Sequence, residues 1–287
     1  MDFTNRVAVI TGGGSGIGRA VAATMARRDV AAVALVDVND AIDQVASELN
    51  AEAGRTVAMP FRGNATDEAF RASVFDAMSR HGPVSLCVPA AGITRDDLAV
   101  RIDKHTGKAR IYPLEQFRQV VDVNLIAPVY WALEMIGRIA EDRAAKGLKR
   151  WLPTEGIQGS VVFIGSISSQ GNRGQISYAS TKAGLEGAAA TIMKEAMFHG
   201  VRCSVIHPGF TDTPMVRALG MLCVTTIKVV CRSVFRLSSK SSISPEVIGS
   251  RPALGSSTSN RSGSSAIARA RPARLRMPPE SSDGILS

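Results

Sequence analysis

Short apolar runs alternate along the chain with longer stretches in which apolar residues recur every three or four positions. Val7–Thr11, Ala32–Asp37, Val57–Arg62, Leu86–Pro89, Ser160–Gly165 and Val201–His207 read as strands, being short and rich in β-branched residues. Between them, Gly16–Arg28, Asp40–Ala53, Asp67–Arg80, Leu114–Glu141 and Ser177–His199 carry the longer helical pattern. Strand–helix alternation predicts right-handed crossovers and a parallel sheet. The strands are apolar throughout instead of alternating, which predicts helices on both faces. The expected class is α/β, a Rossmann-type doubly wound parallel sheet in three layers, with six recognisable strands.

Two polar stretches, Arg95–Tyr112 and Glu141–Gln158, look like surface insertions. The composition then changes at about Gly220. From Ser238 to Ser287 the chain is rich in Ser, Arg, Pro and Ala and shows no sustained helical or strand period. Such a composition does not bury a core. The expected organisation is a dinucleotide-binding domain over 1–220 and an atypical basic tail over 221–287.

Charge follows the same division. The net charge is +9, and ten basic residues against three acidic ones lie after Gly220. The body is therefore close to neutral, and the tail's only aromatic residue is Phe235. Without aromatic residues for stacking, nucleic acid is not an expected partner. Met1–Arg6 lacks the basic-then-apolar design of a secretory signal. No uninterrupted apolar stretch is long enough to span a bilayer: Leu219–Leu237 comes nearest and is broken by Thr225, Thr226, Lys228, Arg232 and Arg236. A cytoplasmic location and no membrane partner are expected. Cys87, Cys203, Cys223 and Cys231 show no metal-ligand spacing, so they read as free thiols and no metal is expected.

After the first strand comes Thr11-Gly12-Gly13-Gly14-Ser15-Gly16-Ile17-Gly18, which leads into a helix. A glycine turn between strand and helix lets the backbone approach a pyrophosphate, with the helix N-terminus facing it. A glycine cluster alone is also compatible with a flexible turn; its place between strand and helix is what favours the anion site. Asp37 ends the second strand, where a carboxylate can accept hydrogen bonds from a ribose 2′-hydroxyl and repel a 2′-phosphate.

The sharpest chemical motif is Tyr178-Ala179-Ser180-Thr181-Lys182. Residues four apart share a helix face, so phenol and ammonium become neighbours. The positive charge is expected to lower the tyrosine pKa from its reference near about 10, toward a working acid or base. Ser166 ends the fifth strand, and its hydroxyl can meet the tyrosine at a substrate oxygen. Ser168 is the fallback for that role.

In this order, the motifs resemble the short-chain dehydrogenase/reductase family from Val7 to about Gly220. The resemblance implies a nicotinamide cofactor held by Gly12, Ser15, Gly16, Ile17 and Gly18. It adds contacts from Asn64 and Ala65 after the third strand and from Ala91 and Gly92 after the fourth. It implies that Pro208, Gly209 and Thr213 touch the nicotinamide. Asn124 completes a catalytic set with Ser166, Tyr178 and Lys182, holding a water linked to the lysine, while Lys182 also binds the nicotinamide ribose. His207 has no role at its position in the family and reads as structural. Ser15 stands where NADP-preferring relatives often carry a basic residue, so NAD is favoured over NADP. The implied reaction is reversible hydride transfer between the cofactor and a small-molecule secondary alcohol or ketone. The Gly171–Gln175 loop leaves a 3-oxoacyl-thioester reductase or 3-hydroxyacyl dehydrogenase open, and the tail leaves a non-catalytic dinucleotide-binding protein open.

The chain departs from the family's pattern in four places. Gly63-Asn64 stands where an aspartate is usual, and Pro89-Ala90-Ala91-Gly92 stands for Asn-Asn-Ala-Gly. The latter change removes the side-chain amides that tie the central strands together. The interval from Ser166 to Tyr178 is one residue short. The seventh strand, usually Thr-Gly-x-x-x-x-Val-Asp-Gly-Gly, is absent from the sequence. Its loss opens a sheet edge and a pocket wall, and makes the family's dimer or tetramer doubtful. The change at Gly220 is what a shifted reading frame leaves behind. Translating the three frames of the coding DNA tests this, and the idea fails if none restores that strand.

Overall fold

The computed structural model describes residues 3–209 and 211–218. The expectations for the tail, the seventh strand, the Leu219–Leu237 stretch, Cys223 and Cys231 lie outside the described residues.

Six strands form one parallel sheet: β1 Val7–Thr11, β2 Ala32–Asp37, β3 Ala58–Arg62, β4 Val84–Pro89, β7 Gly159–Ile164 and β8 Val201–Ile206. Their order is β3-β2-β1-β4-β7-β8. Connections from β1 lead one way and from β4 the other, opening a crevice at the carboxyl ends of these two strands. The fold is the doubly wound α/β sheet that the alternation predicts.

Helices cover both faces. On one side α1 (Gly16–Ala26) and α2 (Ile42–Ala53) bury Met25, Ile42, Val45 and Leu49 against Ile10, Val33 and Leu35. On the other, α3 (Glu68–Ser79), α5 (Ala127–Ala145) and α6 (Ile176–Ala196) bury Phe75, Trp131, Met135 and Leu185 against Val9, Ala34 and Phe163. Apolar burial of this kind stabilises at roughly 25 cal/mol per Å². The expectation of strands buried along their whole length holds for β1 and β4. It fails for β3 and for β8, which lie at the two ends of the described sheet and alternate buried with exposed residues. Arg202 and Ser204 of β8 face solvent.

The long helix expected over Leu114–Glu141 is three pieces: α4 (Leu114–Val121), a π-helical turn (Asp122–Ile126) and α5. Pro128 at the start of α5 has no N–H to give, and the turn before it is widened, with Ala127 N–H reaching the Asp122 carbonyl. By length and composition, the run from Leu114 to Ala145 is apolar enough to cross a membrane. Charged residues such as Glu134 and Arg138 interrupt it, so it is not an uninterrupted apolar stretch. Trp131, Ala132, Met135 and Ile139 on this run pack into the core against the sheet.

Arg95–Tyr112 is more than an irregular insertion. It holds a hairpin of β5 (Val100–Ile102) and β6 (Ala109–Ile111), with Arg101 opposite Arg110. Both guanidiniums reach the Asp97 carboxylate, at 2.7 and 2.6 Å. The first residues of Glu141–Gln158 continue α5, and Arg143 is buried there on Glu155 at 2.6 Å.

Candidate active site

The turn from β1 into α1 is packed backbone against backbone. Gly12 has φ +69°, and a Cβ there would lie 2.8 Å from the Ala91 nitrogen. A Cβ at Gly18 would overlap the Gly12 carbonyl. Only glycine allows both approaches. The turn is the floor of a cleft of about 640 Å³ that runs from Asp37, past Ser15–Gly18, to Tyr178 and Lys182. Asn64, Ala65, Ala91 and Gly92 line the same cleft. A bare glycine floor at a helix N-terminus fits a dinucleotide pyrophosphate.

Asp37 is held in place by main chain. Its Oδ2 accepts from the Gly14 N–H at 3.0 Å and its Oδ1 from the Asn39 N–H at 3.1 Å. Arg62 is its neighbour across the β2–β3 ladder, but that guanidinium is on Asp40 at 2.8 Å. Asn64 Oδ1 accepts from the Thr66 N–H at 3.0 Å, shaping its own turn. The tie between central strands expected to be lost at Pro89-Ala90 is made by Thr11. Its hydroxyl accepts from the Ala91 N–H and its carbonyl from the Ala90 N–H, each at 3.1 Å. Thr11 was readable as the end of a strand and the start of the glycine motif, and neither place signalled its side-chain role.

At the other end of the cleft, Tyr178 and Lys182 sit one helical turn apart, with the Lys182 Nζ 5.4 Å from the phenol ring centre. Nζ donates to the Ile164 carbonyl at 2.8 Å. Burial pushes the ammonium down to about 8. Ser166 follows β7 and lines a cavity together with Tyr178. The expected lowering of the tyrosine pKa does not appear. Burial raises it, the nearby Ser166 hydroxyl opposes the rise, and the Asp96 charge adds to it. In this site desolvation outweighs the Ser166 hydroxyl. Ser168 is turned away, its hydroxyl spent on Gln175 at 3.0 Å, while its N–H donates to the Ser166 hydroxyl oxygen at 3.1 Å.

Asn124 lies wholly buried in the π turn. Its Oδ1 accepts from the Ile93 N–H and its Nδ2 donates to the Ile93 carbonyl, both at 2.8 Å. Both amide atoms are thus used on Ile93, and the side chain clamps the end of β4 beside Gly92. Pro208, Gly209 and Thr213 line a second cavity of about 340 Å³ together with Ser166 and Tyr178. His207 faces Ser166 from behind: its Nδ1 is 3.1 Å from the Ser166 carbonyl, which can only accept, so this nitrogen carries the hydrogen. A Cβ at Gly165 would stand 2.7 Å from the His207 ring. His207 is structural here.

Comparison with known proteins gives this geometry a family. The chain matches the short chain dehydrogenase family over residues 6–221. It is 30% identical over 221 residues to the 3-oxoacyl-acyl-carrier-protein reductase of Escherichia coli strain K12, covering 76% of this chain and 79% of that one. It is 32% identical over 223 residues to the human (3R)-3-hydroxyacyl-CoA dehydrogenase, covering 74% and 75%. Among solved structures, a candidate NAD(P)-dependent gluconate 5-dehydrogenase from Beutenbergia cavernae with NADP bound at low occupancy superposes with a TM-score of 0.61 at 28% identity, covering 76% of this chain and 78% of that one. Members of the family bind NAD(P) and act on small molecules. The chain belongs to the short chain dehydrogenase family and is an oxidoreductase of that family.

Proposed function

We propose that this enzyme moves hydride reversibly between a secondary alcohol, or its ketone, and NAD(H). The observation that carries the reading is the meeting of Ser166, Tyr178 and Lys182 where the large cleft adjoins the second cavity. A nicotinamide cofactor bound in the cleft supplies or accepts the hydride. Tyr178 gives the proton to the carbonyl oxygen in reduction and takes it from the hydroxyl in oxidation. Ser166 donates a hydrogen bond to the same oxygen and orients it. Lys182, anchored on Ile164, presents its remaining N–H groups to the cleft. Gly12, Ser15, Gly16, Ile17 and Gly18 would hold the pyrophosphate, Asn64 and Ala65 the adenine end, and Pro208, Gly209 and Thr213 the nicotinamide end. Asn124 keeps Ala91 and Gly92 in place.

Asp37 supports NAD over NADP. Its carboxylate is fixed by two main-chain N–H groups where a 2′-phosphate would sit, and the nearby Arg62 is paired with Asp40. The similarity to a 3-oxoacyl-acyl-carrier-protein reductase and a (3R)-3-hydroxyacyl-CoA dehydrogenase favours a second reading of the substrate as a 3-oxoacyl or 3-hydroxyacyl thioester. Titration with NADH and NADPH, followed by nicotinamide fluorescence, tests the cofactor reading. NADH should bind clearly tighter. Equal or tighter NADPH binding would sink the Asp37 argument. Turnover of both substrate classes then separates the two readings, and binding without any turnover would leave a non-catalytic dinucleotide-binding protein.

A further inference from the structure

Gln175, buried just before α6, joins three segments of chain. Its Nε2 donates to the Asp96 Oδ2 at 2.8 Å, and its Oε1 accepts from the Ser168 hydroxyl at 3.0 Å and the Asn172 amide at 2.9 Å. The direction of these bonds is dictated. An ionised carboxylate only accepts, so the amide nitrogen must face Asp96, which turns the amide oxygen toward two donors. Ser168 passes the constraint on through its N–H to the Ser166 hydroxyl oxygen, at 3.1 Å. Main chain reinforces the link: the Asp97 N–H donates to the Gly174 carbonyl at 2.9 Å.

We propose that Asp96 is a positioning residue which, through Gln175, sets the 166–175 loop so that the Ser166 hydroxyl meets the Tyr178 phenol. The inference rests on the reading of Ser166 and Tyr178 as the reacting pair, and it brings the Arg95–Tyr112 insertion into the active site. The hairpin holds the segment that bears Asp96. Arg101 and Arg110 close on Asp97 from the two strands, and the Tyr112 hydroxyl bonds both the Arg95 carbonyl and Ser177 on α6. Asp96 itself is exposed, so water screens the charge that adds to the rise at Tyr178, and its hold on the loop comes from the hydrogen bond. It lines neither the cleft nor the second cavity.

The bond can be reversed to test this. Gln175→Glu alone sets a carboxylate against Asp96. Asp96→Asn alone keeps an acceptor for the Gln175 amide. Together the two changes turn the bond round, the new amide donating to the new carboxylate. Amide hydrogen exchange over 166–175 is measured on the full chain at about pH 9, where two adjacent carboxylates do not share a proton. Turnover of acetoacetyl-CoA with NADH is measured alongside. Gln175→Glu should speed exchange in the loop and lower kcat, each by about tenfold or more, with NADH affinity unchanged. In loop exchange, Asp96→Asn should stay near the parent, and the double variant should return to within about threefold of it. Two effects that merely add, or a loop whose exchange ignores Gln175→Glu, would overturn the proposal. Turnover that survives Tyr178→Phe would overturn the reading of the reacting pair instead, and the exchange cycle would still decide the clamp.

Discussion

The two ends of the cleft are built on different principles. At the cofactor end, side chains are missing where the backbone must come close: Gly12 and Gly18 leave room for the end of β4 and for the Gly12 carbonyl. At the catalytic end, side chains do the holding. Ser166, Ser168, Gln175 and Lys182 are fixed by bonds to one another, to Asp96 or to the Ile164 carbonyl. The first end resists substitution because nothing can be added. The second resists because nothing can be taken away without leaving a partner unsatisfied.

This contrast breaks most visibly at Tyr178. Tyr178→Phe should lower kcat by about a hundred- to ten-thousandfold, the range for losing a positioned proton donor, while NADH affinity is retained. If binding falls with turnover, the two ends are not separable. At the opposite end, Gly18→Ala places a methyl against the Gly12 carbonyl. It should cost about 3 kcal/mol in a urea melt and abolish NADH fluorescence enhancement. A folded, cofactor-binding Gly18→Ala protein would show that the turn yields. Asp37→Ser should shift the NADH-to-NADPH affinity ratio toward NADPH by about tenfold, with little change in stability.

In stability, Lys182 gives the sharpest test. Its pKa falls from 10.5 to about 8 on folding, through burial. Between those values the unfolded chain holds one more proton than the folded one, so this group's contribution to stability rises with pH across that window. Below pH 8 the full penalty of charging a buried amine is present. Lys182→Met should therefore lose turnover yet gain about 1–3 kcal/mol at pH 7, with the gain shrinking by pH 10. Urea melts at the two pH values decide it, and a gain that does not depend on pH would assign the effect to packing.

Spacing made part of this legible. Tyr178 and Lys182 are neighbours by helical period, and Ser166 is placed by ending a strand, so local rules suffice. The shift in composition at about Gly220 falls within a residue of where the family match ends, at 221. The Asp96–Gln175 bond joins residues 79 apart and depends on a hairpin whose strands are three residues each, too short for a period to register. The rise in the Tyr178 pKa was misread for a similar reason. A sequence shows the neighbouring charge but not the depth of burial that opposes it. Pro128, by contrast, was a usable warning of the widened turn at Asn124 inside an otherwise continuous helical pattern.

The close fit of Gly165 beneath His207 also orders the routes by which this protein can diverge. A methyl at 165 has no room while the imidazole stands 2.7 Å away, but a smaller residue at 207 leaves Gly165 undisturbed. Position 165 can therefore change only after both 207 and 205 have, because the Val205 side chain stands 2.8 Å from the same methyl. A lineage that has taken these steps then finds the way back to histidine closed until glycine returns.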